Sequence, residues 1–273
     1  MARSAARRPI EVEPGDIPLA ARRVEHVQGH WLLARLGKRV LRPGGLRLTK
    51  PLLREARVTG AHVVEFAPGM GRTATIVLSH DPADYVGVDA DPKAAAVIDR
   101  LVSAKGRAIA ARADASGLPD ASADIVLAEG VLTIQSEEVK RSIVAEAARL
   151  LRPGGRYVLH ELSLKDAAAG KADGIRDALA HAMHVHARPK TIGEWRRLVT
   201  ECGLEVRFVH TSPLALLEPQ RVVADEGFVQ AMRFFRNVLR DGPTRRRVFT
   251  MARTMRAHKP FLQAVGIVAV KPG

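Results

Sequence analysis

The sequence holds a single cysteine, Cys202, so no disulfide can close within the chain and nothing asks for an oxidising compartment. Aromatic residues fill only 4% of the 273 positions. That scarcity leaves few platforms on which nucleic-acid bases could stack. No apolar run reaches the roughly 18 residues of a membrane span. The basic start, MARSAARRPIEVEPGD, has no apolar core of the kind a secretory signal carries. Metal-binding patterns are missing as well: there is no HExxH, and of His181, His184 and His186 only the first two share a helical face. These absences lead us to expect a cytoplasmic protein without a resident metal.

What is present suits one large domain, with 47% hydrophobic and 26% charged residues. The net charge of +14 is unevenly spread. Residues 1–60 hold 13 Lys/Arg against 5 Asp/Glu, and residues 221–273 hold 11 against 3, while residues 61–220 hold 19 against 21. Basic ends can meet nucleic acid, an anionic membrane surface or an acidic substrate, or remain solvated.

Along the chain, residues 1–60 read as a tail followed by cap helices at 19–41 and 50–56, with Pro43-Gly44-Gly45 between them. From residue 61 strands alternate with helices, the pattern of a parallel sheet, and this core extends to 217. Residues 218–259 form a helical, arginine-rich insertion before the last strand in 260–273. There Met232, Phe235, Val238 and Leu239 are expected to share one buried face, with Arg233, Arg236 and Arg240 on another. The insertion and residues 19–50 are expected to roof the site. Trp31 and Arg47 are candidates to line it, although Trp31 suits a core anchor better.

The chemistry centres on residues 62–74, HVVEFAPGMGRTA. A short β-branched strand, a glycine turn and a helix start let a backbone approach a ligand at the positive end of a helix. The next strand ends on Asp89, placed to accept hydrogen bonds from ribose hydroxyls. The segment from Gly69 to Ala74 satisfies the G-x-G-x-x-A part of a dinucleotide fingerprint, so an NAD-binding oxidoreductase competes with other nucleoside cofactors. Glu65 at the strand end suits a cationic amino-acid group better than a pyrophosphate, and Asp114 offers a carboxylate to an adenine amino group.

The stretches VVEFAPGMG, GVDADP, ARADASGLPDASADIVLAEGVL and RLLRPGGRYVLHEL, spanning residues 60–165 in order, resemble the class I S-adenosylmethionine-dependent methyltransferases, in particular the quinone-biosynthesis-like branch. One departure is Ala67, where the family turn carries its first glycine. The resemblance implies a Rossmann-like, doubly wound, mostly parallel seven-stranded sheet and S-adenosyl-L-methionine as cofactor. It implies that Glu65, Ala67, Gly69 and Gly71 hold the methionine portion. Asp89 and Ala90 would hold the ribose, Asp114 and Ala115 the adenine, and Glu129 and Gly130 would lie by the methyl group. The acceptor is expected to be small or lipid-like. An RNA methyltransferase is the alternative within the class, disfavoured because Ala128-Glu129-Gly130-Val131 lacks the Asn/Asp-Pro-Pro-aromatic motif of base-modifying enzymes. His160 and Glu161 end the fifth strand. His160 is the candidate general base, with Glu129 as the second catalytic candidate. A homodimer and an anionic membrane surface are possible partners.

Overall fold

A computed structural model describes residues 23–273. The expected N-terminal tail and the start of the first cap helix lie outside the described residues. The core is a sheet in the order β3-β2-β1-β4-β5-β8-β7. Its strands are β1 (His62–Phe66), β2 (Asp84–Asp89), β3 (Gly106–Ala110), β4 (Ala123–Glu129), β5 (Leu151–Leu164), β7 (Glu205–Pro213) and β8 (Leu262–Val270). A two-residue strand, β6 (Lys190–Thr191), pairs with β5 off this path. Strands β1 to β5 run parallel, whereas β8 lies antiparallel between β5 and β7. That reversed strand separates this sheet from the all-parallel dinucleotide-binding one.

The middle strands are buried on both faces and read as near-continuous apolar runs, as parallel strands must. Helices α2 (Gly45–Ala56), α3 (Arg72–Ser79) and α4 (Pro92–Val102) cover one face, packing on Val63, Ile125, Leu127 and Val158. Helices α5 (Glu137–Leu150) and α7 (Ile192–Glu201) cover the other, around Phe66, Val126 and the fully buried Trp195. Their starts are encoded locally. Asp91 accepts from the Lys93 and Ala94 amides, Ser136 from Val139, and Thr191 and Glu194 close a reciprocal capping box.

A third apolar cluster joins α1 (Gly29–Arg35), α6 (Ala172–Met183), α8 (Pro219–Glu226), α9 (Phe228–Arg240) and α10 (Gly242–Ala257) around Leu33, Leu179, Phe234 and Met251, against Leu162 and Leu164 at the end of β5. Several expectations need correction here. The first cap helix is broken into a 3-10 turn at Val24–His26 and the short α1. Helix α2 starts at Gly45 rather than near residue 50, because Gly44 and Gly45, at φ +74° and +58°, reverse the chain directly into it. The buried face of α9 is Ala231, Phe234 and Val238, while Met232 (41% exposed) and Leu239 (58%) face outward. The rotation has a polar cause. Gln230 and Asn237 turn inward to donate to the Gly37 and Leu36 carbonyls, at 2.6 and 3.1 Å. Among the described residues no helix is long and apolar enough to cross a membrane.

Candidate active site

The carboxyl ends of β1, β2 and β4 open on one cavity of about 570 Å³, where open α/β sheets place their ligands. Ala67 adopts φ +49°, a left-handed conformation that costs an alanine about 1 kcal/mol or more. The turn therefore keeps the backbone path a glycine would take, with a methyl group added. Gly69 and Met70 line the cavity behind it. Gly71 does not, contrary to expectation. It immediately precedes α3 at φ +69°, and a β-carbon there would come within 2.2 Å of Leu101, so its glycine serves the close approach of the start of α3 to α4.

Glu65 lines the cavity at 3% exposure and accepts a 2.7 Å hydrogen bond from the Tyr85 hydroxyl. Burial, then the neighbouring Glu129 charge, pushes its pKa up to about 8, against the opposing effects of Tyr85 and Arg42. Asp89 also faces the cavity and accepts from the Asp91 amide at 3.0 Å, and burial raises its pKa to about 6. Ala90 and Gly130 are cavity residues, and the Gly130 amide donates to the His160 carbonyl. Asp114 is present but engaged, held by both Nε and Nη2 of Arg112 at 2.9 and 2.6 Å. Arg112 lowers the Asp114 pKa through these bonds. Ala115 departs from expectation: its amide bonds the Arg112 carbonyl, and Ala113 lines the cavity in its place.

The two catalytic candidates need larger corrections. His160 pairs in register with Glu129 across β4 and β5, so both side chains point the same way. His160 is fully buried, with Nδ1 2.9 Å from Glu129 Oε1 and Nε2 against the Pro43 carbonyl, and it does not line the cavity. Both ring nitrogens face protein oxygens, so neither is aimed at an acceptor. Glu129 does reach the cavity, but Thr49, Thr73, His160 and Arg42 converge on its carboxylate. Burial alone would raise its pKa. Arg42, then His160 and Thr73, outweigh that and hold it at about 2. A carboxylate so acidic fixes charge and cannot take up a proton near neutral pH. Glu161, on the opposite face, accepts from the Leu132 and Thr133 amides and supports the loop after β4.

The N-terminal segment supplies Trp31, the candidate named from the sequence, to the cavity lining, together with Arg42, Gln28, His30 and Leu41, which the sequence did not single out. Arg42 is 7% exposed, its Nε donates to Thr49 at 2.7 Å and lies 3.1 Å from Glu129, and its buried Nη2 has no hydrogen-bond partner among the described residues. Gln28, His30, Trp31 and Leu41 complete that wall, with Val185 and His186 entering after α6. Burial pushes the His30 pKa down to about 4, leaving a neutral imidazole beside Trp31. Arg47 is exposed and stays outside the cavity. The insertion of α8 to α10 contributes nothing to the cavity lining, so it is not the inner roof. It braces that roof from behind. Glu226 accepts from the Arg39 and Val40 amides at 2.9 and 2.8 Å, and Asp225 from Leu46 at 3.0 Å. His181 and His184 line a separate cavity of about 170 Å³, and among the described residues no group of three or more ligating side chains is placed to hold a metal.

Known proteins agree with this architecture. The family model described as a methyltransferase domain matches residues 64–159. An uncharacterised protein of Haemophilus influenzae is 32% identical over 218 residues, covering 78% of this chain and 86% of that one. Among solved structures, a candidate sarcosine dimethylglycine methyltransferase from Galdieria sulphuraria superposes with a TM-score of 0.64 at 16% identity, covering 83% of this chain and 84% of that one. Haemonchus contortus phosphoethanolamine N-methyltransferase 2, solved with phosphomonomethylethanolamine and S-adenosylhomocysteine, gives 0.64 at 14% identity over 90% of this chain and 57% of its own. The four ordered motifs, the strand order with its reversed β8 and the family match converge: the chain belongs to the class I S-adenosylmethionine-dependent methyltransferases.

Proposed function

We propose that this enzyme transfers a methyl group to a small or lipid-like acceptor, and that its cavity is divided between cofactor and acceptor. The observation that carries the division is Arg42. A buried guanidinium with an unpartnered Nη2, fixed against an anionic Glu129, matches an α-amino-acid group, whose carboxylate and ammonium need both charges side by side. The methionine end of the cofactor is such a group. Glu65 supports the same end, Asp89 suits the ribose, and Asp114 with Ala113 suits the adenine. This residue set fits S-adenosylmethionine. A pyrophosphate would instead meet Glu65 and Glu129.

When bound, the cofactor supplies a methyl group already activated on a sulfonium. What remains for the chain is to orient the acceptor, exclude water and settle charge. Gln28, His30, Trp31 and Leu41 form a mixed apolar and hydrogen-bonding wall for an acceptor, facing Val185 and His186. His30, neutral near pH 7, accepts a hydrogen bond from an acceptor hydroxyl or amine and holds it in line. Glu129 stays ionised and favours the positive charge of the donor.

Calorimetric titration with S-adenosylmethionine, S-adenosylhomocysteine and NAD tests this reading. Selective binding of the first two is expected, and Arg42→Ala should weaken both by about tenfold or more through the lost charge-assisted bond. NAD binding of equal strength defeats the assignment, and methylation of RNA in preference to small acceptors defeats the acceptor class.

A further inference from the structure

The outward face of α9 and α10 carries a pattern that the cavity does not use. Phe228 is 69% exposed, Val229 76%, Met232 41%, Leu239 58% and Phe249 56%. These are the large exposed apolar side chains among the described residues, and all five fall in two consecutive helices. On α9, Phe228, Met232 and Leu239 follow one another at helical spacing along one stripe, with exposed Arg236 and Arg240 beside it. Helix α10 adds exposed Arg245, Arg246, Arg253 and Arg256. Residues 228–257 contain eight arginines and one acidic residue, Asp241, whose carboxylate already caps α10. A monomer seldom leaves such a contiguous apolar stripe in water.

We propose that this face docks on the surface of an anionic lipid bilayer. Two features must be met at once by any occupant: an apolar phase for the phenylalanine and leucine side chains, and a high density of negative charge for the arginines. A bilayer rich in acidic headgroups offers both within the first few ångströms of its interface, where amphipathic helices lie in plane. A second copy of this chain, paired face to face, would set arginines against arginines with Asp241 as the sole acid of the patch. Nucleic acid satisfies the charge and leaves the apolar stripe in water.

The opposite, buried side of the same helices explains how docking serves the site. Gln230 and Asn237 of α9 hold the Gly37 and Leu36 carbonyls, and Arg247 of α10 donates to the Val24 and Val27 carbonyls. Those carbonyls precede and lie within the segment that carries Gln28, His30, Trp31, Leu41 and Arg42 into the cavity. The docking face is thus one helix thickness behind the acceptor wall. This is the place for it if the acceptor arrives from the lipid phase. That last point rests on the proposed acceptor class, whereas the docking itself does not.

Vesicle flotation decides the matter with the full-length protein. Binding is expected to vesicles of phosphatidylcholine containing about one third phosphatidylglycerol, and to be weak on phosphatidylcholine alone. The double variants Phe228→Ser/Leu239→Ser and Arg236→Glu/Arg240→Glu, all at exposed positions, should each lower partition onto the anionic vesicles about tenfold or more, with unchanged circular dichroism and cofactor affinity. No flotation with anionic vesicles, or flotation unaffected by both variants, overturns the proposal. So does a dimer in analytical ultracentrifugation that Phe228→Ser/Leu239→Ser converts to monomer. The docking can fail while selective cofactor binding stands, so the two readings are separable.

Discussion

At the scale of single residues, the most informative group is Glu65. Its pKa of about 8 lies above the ordinary carboxylate value, so between about pH 4.5 and 8 the native state keeps a proton that the unfolded chain has lost. Its contribution to stability is therefore complete below about pH 4.5 and declines as pH rises toward 8. A cationic amino group arriving beside Glu65 reverses the preference and favours the ionised carboxylate. Cofactor binding at pH 7 should release a proton, seen in calorimetry as a binding heat that varies with the ionisation heat of the buffer. Glu65→Gln should abolish that variation. A wild-type heat independent of buffer would show that Glu65 does not meet the ammonium. Glu65 and Asp89 were legible in the sequence because each ends a short apolar strand before a break in pattern. Arg42 and His30 were not. They come from a segment with no motif, and only the packing of that segment over β4 gives them their neighbours.

At the scale of elements, the cluster of His160, Glu129, Thr49, Thr73 and Arg42 latches five elements together. Thr73 belongs to α3, Thr49 to α2, Glu129 and His160 to β4 and β5, and Arg42 with Pro43 to the loop before α2. Strand alternation correctly separates His160 from Glu161, but it cannot reveal that α2 covers the His160 side. A strand-end histidine in an open sheet looks catalytic until the covering helix is known. His160→Gln accordingly tests a structural role against a catalytic one. We expect a loss of about 1–3 kcal/mol in unfolding free energy, from leaving a buried partner unsatisfied. Turnover at saturating cofactor, well below the melting temperature, should fall less than about tenfold. A general base would give the reverse: little change in stability and a loss of about a hundredfold or more in turnover. The face of α9 teaches the same lesson. Apolar spacing marked a stripe at Met232 and Leu239, and the inward-turned Gln230 and Asn237 decided which side was buried.

At the scale of the whole molecule, the sheet and its flanking helices follow from local signals: apolar runs, caps and glycine turns agree with one another over residues 61–217. The relation between the two basic ends does not, because it depends on contacts almost two hundred residues apart. Its keystone is Glu226 of α8. The carboxylate receives the Arg39 and Val40 amides, pairs with Arg39 Nε at 3.3 Å and stands 3.6 Å from Lys38 Nζ, both of the latter groups' chains belonging to the loop behind the cavity wall. Lys38 and Glu226 are fully buried as side chains, and at that separation the pair is ionic rather than hydrogen-bonded. Burial lowers the Lys38 pKa even with Glu226 beside it. Glu226→Ala leaves that ammonium buried with only the weaker field of Asp225 to offset it, and should cost about 3 kcal/mol near neutral pH. The sign of the pH effect then follows. Glu226 raises the Lys38 pKa against burial, so its loss depresses that pKa further below 10.5; the unfolded chain then binds more protons than the folded one over a wider interval in the variant, and the variant's stability rises with pH more than the wild type's. Denaturation at pH 7 and at about pH 9 should show the gap to wild type narrowing at the higher pH. A gap that is constant, or that widens, would mean that the amide hydrogen bonds to Glu226, and not its charge, hold the insertion against the N-terminal segment.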